Sequence, residues 1–173
     1  MGTRCLPLTK AVPKELLPVF DRPGIQIIAR EAALSGIETL VMVTGRGKSA
    51  LEDHFDEHPY LESRLENKPE LLASVRGACE GLDVVSVRQG EPRGLGHAVG
   101  RGALAASGEP FAVMLPDDLV YGPPALKRLV DLYHQTGKGV VLLFEVPRED
   151  TRKYGIVSGV VRPDGVVEIT DLV

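Results

Sequence analysis

Three groups of polar residues in this sequence could do phosphate chemistry, and the first is the segment 2–19. Its 18 residues hold three cations, two threonines and three prolines. Arginine and lysine side chains fixed on a proline-stiffened loop can hold a polyphosphate, because charge already in place needs little reorganisation. The alternative is an unstructured, solvated N-terminal tail, the commoner fate of terminal residues. Composition alone favours the tail.

The second group is the segment 89–98, which lies between a predicted strand and a predicted helix. Gly94 and Gly96 allow a ligand to approach the backbone closely, and the helix N-terminus offers unpaired N–H groups. The amide of Gln89 can donate and accept hydrogen bonds at once, which suits the edge of a base. The alternative is an ordinary glycine turn that leads into a helix, since the glycine spacing of the dinucleotide fingerprint is absent.

The third group is Pro116-Asp117-Asp118, which follows an apolar run of strand length. A carboxylate there is well placed to hold Mg²⁺, which prefers one or two carboxylates together with substrate phosphate oxygens. An aspartate at this position could equally cap a helix or close a turn. Position alone leaves both interpretations open.

Hydrophobic spacing predicts the elements that must position these groups. A first helix starts at Pro23 and ends at Gly36, and a hairpin closes the sequence over 154–161 and 166–173. Strands are predicted at 39–44, 83–88, 111–115 and 140–146, and further helices at 48–55, 61–80 with a break at Pro69, 95–107 and 123–136. Strands that alternate with helices predict an α/β fold, a doubly wound, mainly parallel Rossmann-like sheet with helices on both faces. Ligands bind such sheets beyond the carboxyl ends of the strands, where segments 45–48, 89–97 and 116–118 fall.

Composition excludes several classes of protein. The 173 residues carry 20 Lys and Arg against 24 Asp and Glu, a net charge of −4, which argues against a nucleic-acid binder. With 43% apolar residues and no run of membrane-span length, we expect one folded domain that does not enter a membrane. No signal peptide is recognisable, and two distant cysteines give neither a disulfide framework nor a zinc site. These features predict a cytoplasmic protein. Its four histidines lack metal spacing and are interpreted as surface or cap residues.

Taken in order, the strings GTRxxPxTKxxPKxLLPV, VTGRxKxxLEDHFD, VRQxEPxGLGHAV, PFAVxLPDD and YGIV resemble the bacterial UTP–glucose-1-phosphate uridylyltransferases, or UDP-glucose pyrophosphorylases. The resemblance covers essentially the whole chain. It implies the nucleotide-diphospho-sugar transferase fold and the reaction of UTP with glucose 1-phosphate to give UDP-glucose and pyrophosphate.

Carried over position by position, the resemblance implies that Arg4 and Lys14 are catalytic and meet the triphosphate. It implies Asp117 as the ligand of Mg²⁺, with Asp118 as its helper. The resemblance also implies that the nucleotide is contacted by Gly2, Thr3, Gln89 and Gly94. It implies that the sugar phosphate is contacted by Tyr154 and Gly155.

The chain departs from the family's pattern at both ends. The family has a strand and Ala-Ala-Gly-x-Gly before the Thr-Arg, and it continues with Glu-Lys-Pro beyond the last residues of this sequence. We therefore expect a single nucleotidyltransferase domain over 1–173, truncated at both ends, and a homo-oligomer in the full-length enzyme. Two alternatives stay open: a nucleotidyltransferase of the dTDP-glucose type or for another sugar phosphate, and a noncatalytic nucleotide-binding fragment.

Overall fold

The computed structural model of this protein describes residues 5–78 and 81–172. The chain divides after Val140 into two compact units, each described here by itself. Across the described ranges, no helix is both long enough and apolar enough to cross a membrane. The expectation of a single domain stays a prediction.

In the first unit, a short antiparallel pair of strands leads into a helix. Strands β1 (Pro18–Val19) and β2 (Arg22–Pro23) are followed at once by helix α1 (Gly24–Leu34). The fixed φ of a proline suits the position before a helix, and the positive φ of Gly36, +82°, suits the exit from one. The first helix is therefore confirmed at both ends.

A parallel pair of strands forms the centre of the first unit. Strand β3 (Thr39–Thr44) pairs with strand β4 (Asp83–Arg88) in register from end to end. Three helices form the crossover between them, α2 (Ser49–Phe55), α3 (Pro59–Arg64) and α4 (Pro69–Arg76). The predicted break at Pro69 is confirmed, because a proline is tolerated in the first turn of a helix but not in its interior. The buried core of this unit is formed by Ala29, Met42, Leu51, Phe55 and Ala78.

Two more helices complete the first unit. Helix α5 (Leu95–Ala103) lies so close to β3 that a methyl group on Gly102 would come within 3.2 Å of Val43 Cγ2. Helix α6 (Ala125–Thr136) is tied to α1, since its Leu126 N–H donates to Glu31 Oε1 at 3.0 Å. A carboxylate there also complements the positive end of the helix dipole.

Two of the predicted strands are wrong. Segments 111–115 and 140–146 have the apolar, β-branched pattern of strands, yet neither forms a ladder with any described residue. A strand is defined by its hydrogen-bonded neighbour, and residue pattern alone supplies no neighbour. The α/β class, with a parallel sheet and helices, is confirmed.

The second unit contains the predicted hairpin, which is confirmed. Strands β5 (Val157–Val161) and β6 (Val167–Leu172) pair antiparallel, with an irregular register between Ser158 and Gly159. Gly159 is required there, because a Cβ would lie 2.3 Å from the Glu168 carbonyl oxygen.

Candidate functional site

The described part of the N-terminal segment is folded. Residues Leu8–Lys10 and Lys14–Leu16 form two 3₁₀ turns, and the second is closed by hydrogen bonds from Leu16 N to the Pro13 oxygen and from Leu17 N to the Lys14 oxygen. The tail alternative is therefore wrong for this part of the chain.

The second turn brings Lys14 to the aspartates that follow segment 111–115. Lys14 Nζ donates to Asp117 Oδ2 at 2.7 Å, across a separation of 103 residues, and both side chains are partly exposed. Asp118 N donates to the Leu115 oxygen, so the aspartates stand in a turn. Neither of them caps α6, whose N-cap is Pro124. The first and third groups of the sequence thus meet at one place.

A buried ion pair lies next to this contact, and sequence reasoning missed it. Glu15 has 6% of its side chain exposed and accepts a hydrogen bond at 2.6 Å from Lys48, whose side chain is 36% exposed. The other carboxylate oxygen of Glu15 is buried without a described partner. The same 3₁₀ turn therefore presents Lys14 to Asp117 and Glu15 to the loop after β3. No spacing in the sequence distinguishes Glu15 from a surface glutamate.

Close backbone contacts gather the strand-end segments around this turn. A Cβ on Gly24 would lie 3.7 Å from the Glu15 oxygen and 4.0 Å from the Pro116 oxygen. A Cβ on Gly45 would lie 4.0 Å from the Gln89 oxygen, and Gln89 N donates to the Thr44 oxygen at 2.8 Å. The segments that were expected at the carboxyl ends of β3 and β4 are thus brought together there.

Gln89 and Gly94 contact each other directly. Gln89 Nε2 donates to the Gly94 oxygen at 3.3 Å and lies 2.9 Å from His97 Nδ1. Gly94 is the N-cap of α5 with a φ of +92°, a conformation that favours glycine. The sequence interpretation of His97 as a surface or cap residue does not include this contact. The position of His97 eight residues after Gln89, across a glycine turn, indicates that the two residues are close, but not that their side chains meet.

A carboxylate on the crossover ties α2 to both parallel strands. Glu52 Oε1 accepts hydrogen bonds from the hydroxyls of Thr44, at 3.0 Å, and Ser86. The Ser86 hydroxyl and then the Thr44 hydroxyl hold the pKa of Glu52 below its ordinary value of 4.5; burial opposes this, and Arg88 adds a smaller favourable charge interaction. These contacts hold the ends of β3 and β4 beneath the site.

The predicted sugar-phosphate residues lie in the second unit. The Tyr154 ring meets Phe144 edge to face, with 5.3 Å between centroids. Tyr154 and Gly155 both line an apolar cavity of about 320 Å³. Tyr154 is half exposed there.

Three predicted residues cannot be placed, because Gly2, Thr3 and Arg4 lie outside the described residues. Within the described ranges, no group of three or more His, Cys, Asp or Glu residues is arranged to hold a metal ion. The assigned roles of all the site residues stay predictions.

Comparison with known proteins places the chain in a family. The profile of the family described as "Nucleotidyl transferase" matches residues 1–172. A curated UTP–glucose-1-phosphate uridylyltransferase of Staphylococcus epidermidis is 47% identical over 161 residues, which are 91% of this chain and 56% of that protein. The crystal structure of an apo UDP-glucose pyrophosphorylase matches with a TM-score of 0.91 and 42% identity, over 99% of this chain and 65% of that one.

A third relative was solved with a nucleotide bound. A UTP-bound UGPase from Acinetobacter baumannii matches with a TM-score of 0.89 and 37% identity, over 99% of this chain and 63% of that one. The chain thus spans 56% to 65% of the length of the relatives named here. Because the family profile matches nearly the whole chain and the fold agrees with it, the chain belongs to the nucleotidyl transferase family.

Proposed function

We propose that this protein transfers a uridylyl group from UTP to α-D-glucose 1-phosphate, giving UDP-glucose and pyrophosphate. The observation that carries the proposal is the 2.7 Å contact of Lys14 with Asp117, at the strand ends that also hold Gln89 and Gly94. A cation and a carboxylate suit the phosphates of a nucleoside triphosphate, and an amide such as that of Gln89 suits its base. The proposed substrates, UTP and glucose 1-phosphate, are those for which the related enzyme of Staphylococcus epidermidis is named.

The chemistry needs charge and alignment more than proton transfer. A phosphate oxygen of glucose 1-phosphate attacks the α-phosphorus of UTP in line. The bond from that phosphorus to the bridging oxygen breaks, and pyrophosphate leaves with the electron pair. Because the nucleophile is already an anion, no general base is required. The protein must align two anions that repel each other and neutralise charge on the leaving group.

Lys14 and Arg4 are the proposed contacts of the triphosphate, with Gly2 and Thr3 beside the nucleotide. Lys14 belongs to a turn that the buried Glu15 anchors to Lys48. Such anchoring preorganises the ammonium, which strengthens its interaction with charge that develops in the reaction.

The two ends of the product are assigned to different segments. Gln89 and the backbone of Gly94 are proposed to face the uracil, and Tyr154 and Gly155 the glucose. An aromatic ring beside an open apolar cavity suits the apolar face of a sugar.

Asp117 fits the role of a magnesium ligand. Its carboxylate already accepts a cation, the Lys14 ammonium, at 2.7 Å, and carboxylate oxygens are the protein ligands that Mg²⁺ prefers. With no group of three acidic or histidine residues in the described ranges, the remaining ligands would be phosphate oxygens and water. Bound there, Mg²⁺ would supply positive charge to the phosphates. We further propose a cytoplasmic, homo-oligomeric enzyme whose thiols stay reduced.

The proposal is tested by turnover of the intact protein. Release of pyrophosphate and formation of UDP-glucose are followed with UTP or dTTP, glucose 1-phosphate and Mg²⁺. We expect UTP to be preferred, and Asp117→Asn to lower kcat/KM by about 100-fold or more, a loss typical of one electrostatic contact in an active site. The matched control is Asp131→Asn, which removes an exposed carboxylate of α6 that pairs with Lys127. Turnover of Asp117→Asn close to that of the control would remove Asp117 from the mechanism. A preference for dTTP would favour the dTDP-glucose type, and nucleotide binding without turnover a noncatalytic module.

A further inference from the structure

We infer that His97 is a positioning residue that fixes the amide orientation of Gln89 and thereby selects uracil over cytosine. The inference rests on the proposed function, since it concerns how the same site recognises its base. It starts from two contacts of one atom, Gln89 Nε2.

The first contact fixes which end of the amide points toward the helix. The Gly94 oxygen can only accept hydrogen bonds, so the group 3.3 Å from it must be the NH₂ end of Gln89. That oxygen is held in place by α5, because it also accepts from Ala98 N at 3.2 Å. This carbonyl favours the NH₂ end of the amide, but its 3.3 Å contact is longer than the 2.9 Å contact with His97 and holds the amide less firmly.

The second contact then fixes the state of His97. One N–H of the NH₂ group is directed to Gly94, and the other faces His97 Nδ1 at 2.9 Å. A donor there requires an acceptor, so this network requires a neutral imidazole with its proton on Nε2. His97 supplies the only acceptor besides Gly94 that the described residues offer this NH₂ group.

The two contacts leave one functional atom of the amide for a ligand. Both N–H groups of Gln89 are used by the protein, and its Oε1 makes no hydrogen bond to a described residue. The side chain therefore meets a base as an acceptor.

An acceptor at this position distinguishes the pyrimidines. Uracil carries an N3–H donor on its pairing edge, whereas cytosine carries an acceptor at N3. Gln89 Oε1 would accept from uracil N3–H and would repel cytosine N3, which gives selection by an unfavourable contact as well as a favourable one. Thymine has the same edge as uracil, so this contact does not separate UTP from dTTP.

Without His97, the second N–H loses its acceptor and the amide is less firmly held. An amide that rotates and moves away from the Gly94 oxygen would present NH₂ to the base, which suits cytosine N3. We therefore expect His97→Leu to lower the ratio of the CTP to the UTP dissociation constant by about tenfold, near the upper end for one hydrogen bond. The ratio isolates specificity, because a general loss of stability or of phosphate binding affects both nucleotides alike.

The matched variant is His97→Asn. Its side-chain oxygen stands close to the position of Nδ1 and can accept from Gln89, so we expect the ratio to stay within about twofold of the unmutated protein. Both dissociation constants are measured on the intact protein by titration calorimetry with Mg²⁺ and without sugar phosphate. Thermal melts of both variants report whether α5 still packs.

A second measurement reads the network without a ligand. Long-range ¹H–¹⁵N NMR of the imidazole of His97 should show the Nε2–H tautomer, and Gln89→Ala should release it to a mixture of tautomers. An Nδ1–H tautomer in the unmutated protein, or an unchanged nucleotide ratio in a folded His97→Leu variant that binds UTP, would overturn the inference. An unmutated protein that shows the Nε2–H tautomer but binds no UTP would contradict the proposed function, and the selective role with it.

Discussion

Removal of the Lys48 ammonium is the sharpest test of how this site is held together. Lys48→Met keeps a side chain of similar length and leaves the Glu15 carboxylate buried without its cation. Glu15 is only 6% exposed, and one of its oxygens already lacks a described partner. A buried charge that loses its partner is strongly unfavourable, because its low-dielectric surroundings stabilise it far less than water or a counter-ion would.

The size of the effect follows from the exposure of the two partners. Breaking a fully buried pair costs about 3–5 kcal/mol. The Lys48 side chain is 36% exposed, so solvent already screens part of the interaction. We therefore expect Lys48→Met to lower the free energy of unfolding by about 2–3 kcal/mol, which at this chain length lowers Tm by about 4–12 °C.

The assay is chemical denaturation of the intact protein, arranged as a double-mutant cycle. Glu15→Gln removes the charge, so Lys48→Met made in that background should cost less than about 1 kcal/mol. The matched control is Lys127→Met, which breaks an exposed pair with Asp131 and should change stability by less than about 0.5 kcal/mol. If Lys48→Met costs as little as this control, the reasoning about Glu15 is refuted.

Three further predictions concern packing and pH. Gly159→Ala should destabilise the hairpin by about 1–3 kcal/mol in a denaturant titration, because the new Cβ would collide with the Glu168 oxygen. The control is Gly139→Ala, which should not change stability because a Cβ there has no neighbouring atom within 4 Å. Because the pKa of Glu52 is lowered, the ionised carboxylate stabilises the folded protein fully above pH 4.5, and this stabilisation is lost as pH falls through the folded-state pKa. The unmutated protein should therefore have a higher Tm than Glu52→Gln near neutral pH, and this difference in Tm should disappear in acid. Burial lowers the pKa of His54 below 6.5, so between pH 6.5 and the folded-state pKa the unfolded chain binds a proton that the folded protein does not. Stability should therefore fall as pH drops through this range, and His54→Phe should flatten that part of a curve of Tm against pH.

Most of the elements of the first unit could be predicted because their signals are local. Helical spacing with Pro23 and Gly36 at the ends defines α1, and β-branched runs define β3 and β4. The runs at 111–115 and 140–146 carry the same local signal but lack a described partner strand, and pairing is a non-local property.

The site shows the same division between local and non-local information. The rule for parallel sheets predicted that the segments after the strands would converge, and the contacts of Gly24 and Gly45 agree with it. The buried pair of Glu15 with Lys48 could not be predicted, because burial of one charge depends on elements 33 residues apart. The contact of His97 with Gln89 depends on side-chain direction across a turn, which residue types alone do not specify.

The contact of Lys14 with Asp117 closes a loop of 103 residues, whereas that of Gln89 with His97 closes one of 8. Loop-closure entropy rises with the logarithm of length, so the longer closure costs about 2 kcal/mol more. An ion pair as exposed as this one returns about 0–1 kcal/mol, which is too little to bring the two segments together. Packing of the elements between the two residues therefore has to bring these charges together. A ligand held by both of them would stabilise the globally folded state and leave early, partly folded forms without assistance.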